Sequence, residues 1–147
     1  MLWRAAQRGD LPAILGLYRD DTLGAAREID DLPRYFAAFA AMGQEGANHL
    51  IVAEQDGALI ATYQITFITG LSRRAARRAQ IESVRVASHL RGRGIGAQLM
   101  ADAEHRARAA GCTLIQLTTD ATRARARAFY TRLGFTPSHI GFKRDLT

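Results

Sequence analysis

The stretch from Ile81 to Met100, IESVRVASHLRGRGIGAQLM, decides the fold. Its first six residues are rich in β-branched side chains and alternate in polarity, which predicts a β-strand. Glycines at positions 92, 94 and 96 follow in a turn that opens a helix. In a strand, turn and helix of this kind, backbone N–H groups converge on a phosphate. The stretch therefore predicts an anion-binding turn.

Two common nucleotide-binding loops do not fit this turn. A dinucleotide fingerprint needs Gly-x-Gly-x-x-Gly after a first strand, whereas these glycines are spaced two apart and lie past mid-chain. A triphosphate loop needs Gly-Lys-Ser/Thr, which is absent. Arg91 and Arg93 add mobile positive charge, which suits a diphosphate better than a single carboxylate. A purely structural turn would need neither the arginines nor three glycines.

Length and composition predict one domain over residues 1–147. Hydrophobic residues make up 48% of the chain, enough for a core, and no linker or repeat divides it. The formal charge of +6 comes almost wholly from arginine and supports an anionic ligand only weakly. Neither a helix-turn-helix nor an aromatic-studded basic sheet is recognisable, so we expect no nucleic-acid partner.

The sequence predicts a cytoplasmic protein without a membrane or a metal partner. It has no leader-like N-terminus and no apolar run of membrane-spanning length. The single cysteine, Cys112, excludes an internal disulfide and a multi-cysteine zinc site, and it is interpreted as a buried, inert thiol. The histidines lack metal-ligand spacing; they are His49, His89, His105 and His139.

Periodicity and turn signals predict a mixed α/β order, β-α-α-β-β-β-α-β-α-β. The clearest hairpin signal is Gln55-Asp56-Gly57 between two apolar runs. The basic segment Arg73–Arg78 is interpreted as a solvated loop, with a groove for an acidic substrate as the alternative. The predicted strands cover residues 2–6, 50–53, 59–67, 81–86 and 112–118, and residues 135–146 are predicted as a final extended segment or hairpin. The predicted helices cover 10–18, 31–42, 94–110 and 123–133.

The helix over 94–110 carries two i,i+4 ion pairs. They are Asp102 with Arg106 and Glu104 with Arg108. Both pairs are predicted to face outward.

Two motifs resemble those of the GCN5-related N-acetyltransferases, the GNAT family. Arg91-x-x-Gly94-x-Gly96 is similar to the family's Arg/Gln-x-x-Gly-x-Gly/Ala signature. Residues Ala126–Phe135 are similar to its Ala-x-x-Phe-Tyr-x-x-x-Gly-Phe segment. The resemblance covers essentially the whole chain. It implies an α/β fold with a mixed, largely antiparallel sheet of about six or seven strands, about four flanking helices and splayed central parallel strands.

The resemblance also implies that acetyl-CoA is the cosubstrate. The backbone of Val84, Arg85 and Val86 would pair with the pantetheine arm, and a main-chain N–H there would polarise the thioester carbonyl. The pyrophosphate would be held by the turn, which comprises Arg91, Gly92, Arg93, Gly94, Ile95 and Gly96.

The implied catalytic residues are Tyr130 and Glu82. Tyr130 occupies the position of the family's usual general acid, which protonates the departing CoA thiolate; the alternative is a core tyrosine. Glu82 lies where members often place a carboxylate that relays the substrate proton through water; the alternative is a structural residue. Arg123 departs from the pattern, because many relatives carry Asn there. A contact from Arg123 to a CoA phosphate is a further hypothesis.

These features predict direct acetyl transfer from acetyl-CoA to the primary amine of a small molecule. Residues 116–120 with Phe129, Tyr130, Ser138 and His139 are similar to small bacterial acetyltransferases that act on small amines, including aminoalkylphosphonates. The alternatives are acetylation of a protein or peptide amine, and a non-catalytic module that senses acyl-CoA. A homodimer that covers the sheet edges is also expected.

Overall fold

The computed structural model describes residues 1–147 and has a five-stranded sheet in the order β1-β2-β3-β4-β5. The strands are β1 (Leu2–Ala5), β2 (Asn48–Gln55), β3 (Ala58–Thr69), β4 (Arg77–Val86) and β5 (Leu114–Leu117). The helices are α1 (Leu11–Arg19), α2 (Thr22–Arg27), α3 (Leu32–Glu45), the single turn α4 (Ser72–Ala75), α5 (Ile95–Ala109) and α6 (Ala124–Arg132). None of these helices has both the length and the apolarity to cross a bilayer.

The chain forms two compact units. Met1–Gln116 contains β1–β4, most of β5 and helices α1–α5, and Leu117–Thr147 contains α6. Within the first unit, strands β1 to β4 pair antiparallel in sequence order. The N–H of Thr113 donates to the Arg77 carbonyl at 2.9 Å, and Gln116 donates to Gln80 at 2.7 Å. The two contacts advance in the same direction along both segments, so β4 and β5 are parallel.

The β2–β3 hairpin follows the sequence prediction closely. Its loop is Asp56-Gly57, and both residues have positive φ angles, 52° and 78°. A two-residue loop with this backbone matches the right-handed twist of the strands, and Asp-Gly is a preferred pair for it. The hairpin therefore fixes the register of the two central antiparallel strands.

Strand β4 carries a β-bulge at Ser83. Gln64 of β3 lies opposite Glu82, whereas Thr62 lies opposite Arg85, so β4 has one more residue than β3 over this interval. Ser83 has a φ of 53°, a left-handed conformation unusual for a residue with a side chain. Bulges bend a strand and often lie next to functional sites.

Apolar side chains cover both faces of the sheet. On one face, Leu50 and Val52 of β2 are buried with Leu11 and Ile14 of α1. Half-buried residues of α3 extend this cluster; they are Phe36, Phe39 and Met42. On the other face α5 lies against β3 and β4. The residues fully or almost fully buried there include Tyr63, Ile65, Ile81, Leu99 and Ala103.

The structure corrects several predicted elements. The sheet has five strands, fewer than the predicted six or seven, because residues 135–146 form no strand. Strand β4 begins at Arg77, four residues before the predicted start at Ile81, so Arg77 and Arg78 belong to a strand and not to a loop. Helix α2 was not predicted; Asp21 caps it by accepting a hydrogen bond from the Gly24 N–H at 3.3 Å. The single turn α4 was not predicted either, because Arg73–Arg78 was interpreted as a loop, whereas α1, α3, α5 and α6 lie where the caps and periodicity predicted helices.

Candidate functional site

The predicted anion-binding turn joins β4 to α5. Gly92 and Gly94 have φ angles of 78° and 79°, in the left-handed region that favours glycine. Gly94 is the N-cap of α5, and the first intrahelical hydrogen bond runs from the Gln98 N–H to its carbonyl at 3.2 Å. The N–H groups of residues 95–97 therefore lack intrahelical acceptors and lie at the positive end of the helix dipole. This backbone can bind an anion.

Asp20, directly after α1, contacts both ends of the segment Ser88–Arg91. Its carboxylate accepts hydrogen bonds from the Ser88 N–H at 2.8 Å and from the Ser88 hydroxyl at 2.9 Å. Its main-chain carbonyl accepts from the Arg91 guanidinium at 2.8 Å. The backbone bond from Ser88 holds the pKa of Asp20 below its usual value, and the hydroxyl adds to this effect. The guanidinium of Arg91 is thus directed to the end of α1.

The last residues of β4 lie beyond the β4–β5 ladder. The Ala87 N–H donates to the Ile60 carbonyl at 2.8 Å, so residues 60 and 87 form a hydrogen-bonded pair. The Val86–Ala61 pair next to it is consequently non-hydrogen-bonded, and the N–H and carbonyl of Val86 point away from β3. The Val84 carbonyl accepts from the Arg85 guanidinium at 2.9 Å. Val86 therefore offers main-chain groups for pairing with an extended ligand.

Arg85 connects the bulged strand to α1 and α2. Its guanidinium lies 3.6 Å from the Asp21 carboxylate and 5.7 Å from the centre of the Tyr18 ring. Its side chain is 16% exposed, and its Nε is buried without a hydrogen-bond acceptor. Burial raises the pKa of Tyr18, and a hydrogen bond with Ser83 partly offsets that rise. The bulge is thus in contact with α1 through two side chains.

Glu82 lies in a polar strip on the face of the sheet that α1 and α3 cover elsewhere. Residues opposite each other on neighbouring strands share a face, which places Glu82 with Gln64, and Gln80 with Thr66 and Asn48. Asn48 accepts hydrogen bonds from Gln64 at 2.8 Å and from Thr66 at 3.1 Å. Glu82 itself is exposed. A carboxylate in this strip can accept a proton through water.

Tyr130 belongs to the unit Leu117–Thr147. Its ring lies edge-on to Phe129 and Phe135, with centroid distances of 5.1 and 5.8 Å. The Phe135 N–H donates to the Tyr130 carbonyl at 3.0 Å, which closes the end of α6. Arg123 is the N-cap of α6, and its N–H donates to the Asp120 carbonyl at 3.0 Å. The ring of Tyr130 is thus held by an aromatic cluster inside its own unit.

Sequence reasoning missed Asp20, Tyr18 and the bulge at Ser83. Asp20 and Tyr18 occur near a helix C-terminus without a motif, and their partners are more than sixty residues away. Serine is not a residue type that signals a positive φ angle. No group of three or more histidine, cysteine or carboxylate side chains converges in the structure. The expectation that no metal takes part stays a prediction.

Comparison with protein families decides the assignment. Residues 11–135 match the model of the acetyltransferase (GNAT) family, which is most of the chain. The chain belongs to the GNAT family. The signature around Gly94 and the segment around Tyr130 both lie within the matched residues.

Several known proteins resemble this GNAT protein. A transcriptional regulator from Bacillus halodurans C-125 is 41% identical over 99% of both chains, with a TM-score of 0.93. A protein of Agrobacterium tumefaciens strain C58 whose assigned role is acetyltransferase is 32% identical over 99% of both chains, with a TM-score of 0.88. The aminoalkylphosphonate N-acetyltransferase of Salmonella typhimurium is 42% identical over 67 residues, which are 46% of this chain and 44% of that enzyme.

Proposed function

We propose that the protein is an acetyl-CoA-dependent N-acetyltransferase that acetylates the primary amine of a small molecule. The observation that carries the proposal is the order along the chain, in which the outward-facing backbone of Val86 is followed by a short segment and then by the turn at Gly92–Gly94. An extended ligand with a diphosphate at one end needs both features in this order. Membership of the GNAT family supports acetyl-CoA as that ligand.

The residues of the turn fit a CoA pyrophosphate. The free N–H groups at the start of α5 and the helix dipole would bind the phosphate oxygens, and Arg93 would add charge-assisted hydrogen bonds. The pantetheine arm would pair with the backbone of Val84–Val86, and the Val86 N–H would donate to the thioester carbonyl. Ile95 and Gly96 would contribute backbone only.

The chemistry is a direct transfer in a ternary complex. The amine must lose a proton before it attacks, and Glu82 would accept that proton through water. The amine nitrogen bonds to the carbonyl carbon, and the carbon–sulfur bond breaks. Tyr130 would donate its hydroxyl proton to the departing thiolate, and the second proton that the nitrogen loses as the amide forms would restore this hydroxyl through water. The products are an amide and CoA.

We propose aminoalkylphosphonates as the first acceptor class to test. The support is the local identity of 42% with the Salmonella enzyme, whose name gives aminoalkylphosphonates as its substrates. Release of free thiol from acetyl-CoA would be followed with aminomethylphosphonate and 2-aminoethylphosphonate, and with amino acids, polyamines and N-terminal peptides. Acetylation of a phosphonate amine supports the proposal. Turnover with peptides alone would redirect it to protein acetylation, and no thiol release with any acceptor would overturn it.

A non-catalytic role is the second candidate. The observation in its favour is the 41% identity to a Bacillus protein described as a transcriptional regulator. A sensing module would bind acetyl-CoA without consuming it, and replacement of Tyr130 by phenylalanine would leave its biological activity intact. Tight CoA binding by calorimetry without thiol release would favour this candidate.

A further inference from the structure

The segment Ser88–Arg91, which precedes the anion-binding turn, has no buried side chain, and Leu90 is half-buried. Between Ala87 and Ile95, which are 6% and 8% exposed, no side chain is buried. The hydrogen bonds within the segment are short-range, from Leu90 to the Ala87 carbonyl at 2.9 Å and from Arg91 to the Ser88 carbonyl at 3.3 Å. These bonds shape the turn but do not fix its position against the rest of the molecule.

Asp20 supplies that connection. It is the C-cap of α1, and a single residue there receives hydrogen bonds from both ends of the segment. The carboxylate binds Ser88 twice, and the carbonyl binds Arg91. An arginine at this carbonyl also satisfies one of the acceptors that the end of α1 leaves free and lies at the negative end of the helix dipole.

We infer that Asp20 is a positioning residue for the donor diphosphate: it fixes Ser88 and Arg91 so that the N–H groups after Gly92 point at the phosphates. Arg91 acts through Asp20, and direct contact with the phosphates is left to Arg93 and the backbone. This inference rests on the proposed function, because it assumes that the turn binds CoA. It assigns Asp20 no part in the acyl transfer itself.

Loss of the Asp20 carboxylate should therefore weaken the binding only of donors that carry the diphosphate. Acetyl-CoA uses the turn, whereas acetyl-pantetheine has the same thioester and arm but no diphosphate. Loss of the Asp20 carboxylate leaves Ser88 without its partner and frees the turn to move, so the donor diphosphate must order the turn when it binds. The truncated donor binds without the turn, so its binding includes no free-energy cost for ordering the turn.

The test compares the two donors in the wild type and in Asp20→Ala. We expect the KM for acetyl-CoA and the calorimetric Kd for CoA to rise about tenfold, the effect of losing one or two charge-assisted hydrogen bonds. The kcat at saturating acetyl-CoA and the KM for acetyl-pantetheine should stay within about twofold of the wild type. Asp20→Asn should be intermediate, because the amide oxygen still accepts from Ser88. Asp30→Ala, an exposed aspartate after α2, is the matched control.

The outcomes separate the two proposals. A weaker Kd for CoA in Asp20→Ala, together with no thiol release by the wild type, would support the positioning role and contradict acetyl transfer. Equal losses with both donors would overturn the positioning role, because general distortion of the site affects the truncated donor as well. An unchanged Kd for CoA in Asp20→Ala, with the wild type active, would also overturn it. If Asp20→Ala does not fold, Asp20→Asn and Ser88→Ala carry the same comparison.

Discussion

The hydroxyl of Tyr63 donates a hydrogen bond to the carboxylate of Asp102 at 2.5 Å, which ties the central strand β3 to helix α5. Tyr63 is fully buried, and Arg106 also donates to the same carboxylate at 2.8 Å. Burial, reinforced by the neighbouring carboxylate, raises the pKa of Tyr63 above its usual range. The sequence placed Asp102 on the outer face of α5, and this was wrong. The predicted pairing of Asp102 with Arg106 is confirmed.

Replacing Tyr63 by phenylalanine should lower the free energy of unfolding by about 1–2 kcal/mol. The substitution removes one of the two donors to a largely buried carboxylate while the ring remains in place. Urea unfolding followed by circular dichroism measures the change. The matched control is Glu104→Gln, which breaks the Glu104–Arg108 pair, whose side chains are 54% and 75% exposed. Such a pair contributes about 0–0.5 kcal/mol, so an equal loss in both variants would contradict the assignment.

Gly94→Ala should destabilise the protein by about 1–2 kcal/mol and weaken CoA binding. An added Cβ would meet no atom within 4 Å, so the cost comes from the φ of 79° and not from a clash. Thermal unfolding and calorimetric titration with CoA measure the two effects. Gly43→Ala is the control: its Cβ is equally unobstructed, it lies in α3, and it should stabilise by about 0.5–1 kcal/mol. Destabilisation by both variants would refute the backbone argument.

Tyr130→Phe should reduce kcat about 10²- to 10⁴-fold and leave the Kd for CoA unchanged, since only the proton donor is lost. Its packing against Phe129 and Phe135 needs only the ring, so the aromatic cluster should be preserved. Steady-state kinetics and calorimetry supply the two quantities. Tyr35→Phe, which removes a hydroxyl bonded to Glu28, serves as the control. Full activity in Tyr130→Phe would exclude Tyr130 as the general acid.

Glu82→Gln should lower kcat/KM for the acceptor most strongly at neutral pH. If Glu82 relays the proton of the substrate ammonium, the deficit should shrink as the pH rises toward the pKa of the amine, where the free amine is already present. A pH profile of kcat/KM from 6.5 to 10 measures this convergence. Parallel profiles for the wild type and the variant would assign Glu82 to the structural alternative.

Asp10→Asn should remove part of the acid sensitivity of folding. Arg4 donates to the Asp10 carboxylate at 2.7 and 3.0 Å and lowers its pKa in the folded protein. The interaction therefore stabilises above the unfolded-state pKa of about 3.9 and is lost as the pH falls through the lower folded-state value. Melting temperatures from pH 7 to pH 2.5 should show the two proteins converging at the acid end. Asp30→Asn controls for the removal of an exposed charge.

Local signals explain most of what the sequence predicted correctly. Proline and aspartate at the helix starts, the Asp56-Gly57 loop and the glycines around α5 act within a few residues, so they can be found without the fold. The signature around Gly94 located the glycine turn at the start of α5 for the same reason. GNAT membership, which these motifs predicted, is confirmed.

The features that the sequence did not predict have no local signal in it. Helix α2 has only six residues, too few for periodicity to show. Asp102 faces the sheet because it bonds to Tyr63, 39 positions away. The hydrogen bonds at Asp20 have partners 68 and 71 positions away. The sixth predicted strand was the extended segment over residues 135–146, which forms no strand, and a seventh was expected from the family pattern alone. The proposed roles of Tyr130 and Glu82 stay predictions.

The β-bulge at Ser83 determines which face of the sheet each later residue of β4 points to. With regular pairing, Arg85 would lie opposite Ala61, which is fully buried, and its charge would point into the apolar layer under α5. The bulge instead puts Arg85 opposite Thr62, on the side of Glu82. Without Ser83, Val84 would lie opposite Tyr63 and Arg85 would still lie opposite Thr62, so the extra residue keeps Arg85 on this side only because it is accommodated as a bulge. The left-handed backbone of Ser83 is therefore the feature on which the orientation of Arg85 depends.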